Sequence, residues 1–180
     1  HGSNQYNLCQ AFRLTGQLDQ ETVTAAFQRI IDRHQVLRSN IRTTERGEAV
    51  QFVLAEWRFS IPLLDLTSLT VEEQEQAILT HIDDETSQTF DLSKDLMIRA
   101  RLLKCGDESH VLLVSMHHIA VDGWSVSIIF DEFNRLYHDP KQALQELEIQ
   151  YADYASWQNQ FLKGKVLDHH LQFWKSKLQD

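Results

Sequence analysis

The run Val111-Leu112-Leu113-Val114-Ser115-Met116 reads as a buried strand, and the amphipathic stretch from Trp124 to Tyr137 reads as a helix. Between them lies His117-His118-Ile119-Ala120-Val121-Asp122-Gly123. A chain built this way places two adjacent imidazoles, a carboxylate and a glycine at a strand-to-helix turn. Side chains at such a strand end can face a ligand while the sheet behind holds them rigid. Histidine changes charge close to neutral pH, so the residue type suits proton transfer.

The rest of the chain alternates in the same way. Leu8 to Leu14 reads as a strand closed by a turn at Gly16, and Gln20 to Arg33 as a helix with Asp19 as N-cap. Val23, Ala26, Phe27, Ile30 and Ile31 give that helix one apolar face. Leu37 to Thr43 and Ala49 to Leu54 read as a hairpin around Glu45-Arg46-Gly47. After Pro62 a short connection leads to an acidic helix, Val71 to Gln88, whose charges read as a solvated face. Strands Leu96 to Lys104 and Ser109 to Met116 flank Gly106-Asp107-Glu108, and the aromatic-rich tail from Tyr151 to Leu178 reads as helical. This order predicts an α/β fold, a two-layer sandwich with a mixed sheet and flanking helices.

A length of 180 residues suits one well-cored domain. The formal net charge of −9 disfavours nucleic-acid and anionic-membrane partners, since phosphate contacts need clustered Lys and Arg. The apolar runs fall short of the roughly 20 residues that span a bilayer, and no signal-peptide pattern opens the chain. Cys9 and Cys105 stand far apart without ligand-like spacing, which predicts two buried, reduced thiols and a cytoplasmic protein. Residues 1–3 look like a tag or cloning remnant, which leaves 4–180 as the domain.

Four readings of the double histidine are open. His117 and His118 can be strand-end residues satisfied by backbone, with Asp122 capping the next helix. His118 and Asp122 can ligate a metal, although no third ligand has suitable spacing nearby. A histidine can serve a protein nucleophile such as Ser125 or Ser127, although no GxSxG elbow is present. A histidine can also accept the proton released when an amine or hydroxyl attacks a thioester directly, without a covalent enzyme intermediate.

Three ordered motifs go further. His117 to Gly123 matches HHxxxDG and continues into Trp124-Ser125; Arg33-His34-Gln35-Val36-Leu37-Arg38 matches RHxxLR; Tyr151-Ala152-Asp153-Tyr154-Ala155-Ser156-Trp157 matches YxDYAxW. Phe90-Asp91-Leu92 and Arg13 to Asp19 are weaker echoes. The chain resembles the N-terminal lobe of a condensation domain of nonribosomal peptide synthetases, in the chloramphenicol-acetyltransferase-like superfamily. The resemblance implies that His118 is the catalytic residue, as base or as positioning group. It further implies that Asp122 forms a structural ion pair with Arg33, that Gly123 permits close approach, and that His117 and Arg38 support the site. Tyr151, Tyr154 and Trp157 are expected to pack rather than touch substrate.

The implied reaction is amide formation between a donor acyl thioester and an acceptor aminoacyl thioester. Both ride on 4'-phosphopantetheine arms of upstream and downstream carrier proteins, and the lobe itself binds no cofactor or metal. The implied partners are those carriers, the chain's own C-terminal lobe and an adenylation domain. The site lies in a tunnel between two lobes, so the isolated lobe is expected to fold, to expose an apolar docking face and to have little activity. An epimerization or ester-forming relative, or a non-catalytic carrier-docking module, are the alternatives. The chain departs from the family pattern in lacking its opening motif and in carrying Lys94-Asp95 where Gly-Pro is common.

Overall fold

The computed structural model describes residues 4–179, so the expected remnant at 1–3 and the terminal residue of the expected domain lie outside the described residues. A 3-10 turn, Asn4–Tyr6, leads into β1, Asn7–Thr15. Helix α1, Gln20–Arg33, starts where the Asp19 carboxylate accepts the backbone N–H groups of Glu21 and Thr22. A second 3-10 turn, Gln35–Arg38, precedes the hairpin of β2, Ser39–Thr43, and β3, Ala49–Val53. The hairpin turns through Gly47, whose φ of 79° is open to glycine and costly for other residues.

A three-residue strand, β4 (Leu63–Asp65), leads to α2, Val71–Ser87, which opens on a capping box between Thr70 and Glu73. Strands β5, Ile98–Gly106, and β6, Ser109–His117, are followed by α3, Gly123–His138. The chain divides into two compact units, the first running to Gln145 and the second beginning at Glu146. In the second unit, α4 spans Tyr151–Phe161 and α5 spans Gly164–Leu178.

The main sheet has the order β1-β6-β5-β4. β1, β6 and β5 are antiparallel, and β4 joins the edge of β5 in parallel. Period-two alternation sends Leu112, Val114 and Met116 of β6 to one face, where they meet Val23, Phe27, Ile30 and Ile31 of α1 and Ile129, Phe133 and Leu136 of α3. Val111 and Leu113 point the other way, into a smaller cluster with Leu103 of β5 and Ile78 of α2. Helices therefore flank the mixed sheet on both faces, and β6 is buried along nearly its whole length.

Four expectations change. Leu37 and Arg38 belong to a 3-10 turn, because the Leu37 N–H bonds the His34 carbonyl and continues the coil of α1. The segment after Pro62 is not a bare connection. The Pro62 carbonyl accepts the Leu102 N–H at 2.9 Å, and the Leu66 N–H reaches the Lys104 carbonyl at 2.8 Å, which together hold β4 on the sheet. The tail is two helices, broken at Leu162 and Lys163. Both cysteines are free but half-buried rather than buried. The aromatic residues Tyr151, Tyr154 and Trp157 contact one another in sequence along α4, with Trp157 stacked on Phe161 at 5.1 Å, yet all remain exposed in this chain.

Candidate active site

The turn after β6 is held at each residue. The His117 N–H bonds the Met97 carbonyl at 3.1 Å, and the His118 N–H bonds the Tyr6 carbonyl at 2.8 Å, so the residues leading into β5 and β1 grip consecutive amides. The His117 carbonyl then accepts the Ala120 N–H at 3.0 Å, closing the turn. Its ring does the same one residue earlier: Nδ1 accepts the Ile119 N–H at 3.0 Å. A neutral His117 in this arrangement carries its proton on Nε2.

The two histidines end in opposite surroundings. His117 is 7% exposed, with Phe90 edge-on at 5.7 Å and Tyr6 at 6.2 Å between ring centroids. Burial, and then the neighbouring charge of His118, push its imidazole below the ordinary histidine value. His118 is the first residue beyond the strand, and its side chain is exposed. His117 is thus buried and hydrogen-bonded, and His118 is open to solvent.

Asp122 caps α3. Its Oδ1 accepts the Ser125 N–H at 2.8 Å and the Ser125 hydroxyl at 2.6 Å, while its carbonyl takes the Val126 N–H at 3.1 Å. The Ser125 hydroxyl and then the Ser125 amide hold the Asp122 carboxyl below the usual carboxylate range. Asp122 is exposed rather than buried, so it has no need of a buried cationic partner. In place of the expected ion pair with Asp122, Arg33 Nε donates to Glu132 Oε1 at 2.9 Å. His34 Nε2 meets the other oxygen of the same carboxylate at 2.8 Å. Consecutive residues at the end of α1 therefore grip one carboxylate on α3, the helix that begins at the site turn. Glu132 is 7% exposed. Burial works to raise its pKa, but the hydrogen bonds and charges of His34 and Arg33 prevail and hold it low.

Arg38 ties the end of the hairpin to α1: its guanidinium donates to the Leu54 carbonyl and, at 3.4 Å, to the Asp32 carbonyl. Gly123 has open space where a Cβ would sit, so close approach within this chain is not what places glycine there. Next to it Trp124 is 80% exposed, and with Ile128 and Arg33 it lines a cleft of about 400 Å³. Among the described residues no cluster of three His, Cys, Asp or Glu side chains is placed to hold a metal ion. Likewise no helix among them is long and apolar enough to cross a membrane.

Glu132 and the role of His34 escaped the sequence reading, but a signal was present. Glu132 falls between Ile129, Phe133 and Leu136 in the buried stripe of α3, where a charge needs a partner. Glu85 gives the same signal on α2, seven residues after the buried Ile78. Among the described residues it is the other buried carboxylate, held by Arg101 and Ser115.

The Condensation domain family model matches residues 1–180. A linear gramicidin synthase from Brevibacillus parabrevis is 41% identical over 180 residues, covering 96% of this chain and 2% of that protein. A plipastatin synthase from Bacillus subtilis (strain 168) is 37% identical over 178 residues, covering 99% of this chain and 5% of that protein. A cyclization-docking bidomain of the synthetase EpoB from Sorangium cellulosum shares the fold, with a TM-score of 0.83 at 23% identity over 96% of this chain and 34% of that one. The mixed sheet with its helices has the chloramphenicol-acetyltransferase-like fold of the condensation-domain lobes. This chain belongs to the condensation domain family of the nonribosomal peptide synthetases. It spans only a small fraction of the curated relatives it matches, and about a third of the solved bidomain.

Proposed function

We propose that this chain carries the catalytic histidine of an amide-forming reaction between two thioesters, each tethered to a carrier protein by a 4'-phosphopantetheine arm. One observation carries the reading: in a member of this family, His118 stands exposed at the end of the most buried strand, while His117 beside it is engaged by the fold.

The chemistry asks little of the protein. The acceptor amine attacks the donor thioester carbon, forming the C–N bond and placing negative charge on the carbonyl oxygen. Collapse breaks the C–S bond, and the thiolate leaves on the donor arm. The amine gives up one proton overall, and the imidazole of His118 accepts it or orients the amine for its loss. A free α-amine has a pKa of about 7.7–8.0 and is partly neutral near pH 7, so one held base and good positioning suffice. Asp122, Arg33, His34, Glu132 and Arg38 hold the backbone that presents His118. Gly123 begins the helix behind it, and no residue of this lobe is assigned to bind the pantetheine arms.

In this reading the reaction belongs to a longer polypeptide in which a second lobe supplies the opposite wall, and the small share of the relatives that this chain spans supports it. The exposed Trp124 and Ile128 suit such a neighbour. The other partners in this reading are the two carrier proteins and an adenylation domain, in the cytoplasm. The test compares amide formation from loaded carrier proteins by the two-lobe protein, by its His118→Ala variant and by this chain alone. Product from the two-lobe protein only is expected. Unchanged turnover in His118→Ala refutes the assigned role, and full turnover by this chain alone refutes the need for a second lobe.

A further inference from the structure

The far face of the sheet carries a polar network that this mechanism does not use, and it ends at His117. Glu85 on α2 is 4% exposed. Its Oε1 takes Arg101 Nε at 3.1 Å and Nη2 at 3.0 Å; its Oε2 accepts the Ser115 hydroxyl at 3.2 Å and faces Arg99 Nε at 3.8 Å. Arg99 in turn donates Nη1 to the Thr89 carbonyl at 3.1 Å and Nη2 to the Gln88 carbonyl at 2.8 Å. These bonds supply the cation that α2 lacks in its own last turn.

With both Nη atoms of its guanidinium hydrogen-bonded, Arg99 lies over Phe90, its Cζ 3.8 Å from the ring centroid. Phe90 is 2% exposed and meets His117 in a T-shaped contact at 5.7 Å. The chain of contacts thus runs from a buried carboxylate, through a guanidinium and an aromatic ring, to the imidazole whose Nδ1 holds the Ile119 N–H. A ring that flipped, or moved its proton to Nδ1, would lose that bond and release the amide next to His118.

We propose that Phe90 and Arg99 are positioning residues: they hold the His117 ring in the orientation and tautomer that accept the Ile119 N–H, and so fix the turn that presents His118. The inference rests on the reading of His118 as the reacting histidine, and it adds residues from a part of the sequence with no assigned role beyond the weak Phe90-Asp91-Leu92 echo. Arg99 acts through Phe90, and Phe90 through His117; neither is placed against substrate.

The test has two readouts. Nitrogen-15 spectra of the histidine rings, taken on this chain above the ordinary histidine pKa, show which ring nitrogen carries the proton; His117→Asn identifies the His117 signals. The unaltered chain is expected to hold the proton on Nε2. Phe90→Leu keeps an apolar side chain without the ring, and Arg99→Gln removes the cation; both are expected to mix the two tautomers. In the two-lobe protein the same variants are expected to lower kcat about ten- to a hundredfold, with KM for the loaded carriers little changed.

A single Nε2–H tautomer retained in either folded variant overturns the proposal, and so does kcat within twofold of the unaltered protein. If Phe90→Leu does not fold, Arg99→Gln decides, since its side chain lies toward the edge of the packed region. Should the unaltered two-lobe protein form no amide, the proposed function fails, while the ring spectra still decide whether Phe90 and Arg99 set His117.

Discussion

His117 and His118 are neighbours in the chain and opposites in environment. His117 is the last residue of β6 and points into the sheet face covered by α2, Phe90 and Tyr6. His118 begins the turn, is held by its backbone and leaves its ring free of the core. A doubled histidine is therefore a division of labour set by where the strand stops. One ring stabilises the turn as an acceptor, and that leaves the other exposed in a fixed place.

The largest expected effect comes from removing the exposed ring. In the two-lobe protein, His118→Ala is expected to lower the amide-forming rate by about 10²–10⁴, while urea denaturation of this chain shifts by less than about 0.5 kcal/mol. A rate within threefold of the unaltered protein, or a large loss of stability, would erase the contrast between the two rings.

The support beneath the turn reverses that pattern. Glu132→Ala leaves Arg33 and His34 facing a gap in a buried setting, and a stability loss of about 3–5 kcal/mol is expected in urea. His117→Ala removes a buried acceptor and is expected to cost about 1–3 kcal/mol. His117→Asn should recover part of that loss, because an amide oxygen can still accept the Ile119 N–H. Equal losses in both His117 variants would show that packing alone, without the hydrogen bond, accounts for the residue.

Acid gives a smaller test. Burial depresses His117, and it also depresses His110, whose Nδ1 is buried without a hydrogen-bond partner among the described residues. For such groups the unfolded chain takes up protons first. Their contribution to stability is complete above the unfolded value of about 6.5 and is lost as pH falls through and below it. Stability is expected to fall by up to about 1.4 kcal/mol per pH unit for each such histidine in that window. His117→Asn should make the fall shallower and leave the His110 share. Trp124→Ala should have the smallest effect, within about 0.5 kcal/mol for this chain, because its ring is exposed.

Much of this was legible in the sequence where one periodicity dominates. The apolar stripes of α1 and α3 and the apolar run of β6 marked the core, and the double histidine marked the candidate site. β4 was not legible, because three residues after a proline carry no periodicity and owe their strand conformation to the edge of β5. Nor was the partner of Arg33. Asp122 and Glu132 are both carboxylates near α3, and only the burial of Glu132 decides which of them needs a guanidinium. Glu85 was hidden by its neighbours: in a helix full of acidic residues, a single inward-facing one looks like the rest until Arg99 and Arg101 arrive from β5.

The pairing of β1 with β6 bears on when the site can exist. Asn7 lies opposite His117, 110 residues further along the chain, and Tyr6 supplies the carbonyl that holds His118. Closing so long a loop is entropically costly and makes such contacts slow to form. During synthesis, residues 4–15 must wait for β6 to emerge before they can join the sheet, and until then the histidine turn lacks one of its two walls. Maturation of the candidate site is tied in this way to completion of the sheet, so a chain stalled before Met116 would hold α1 and the hairpin without any part of the histidine turn.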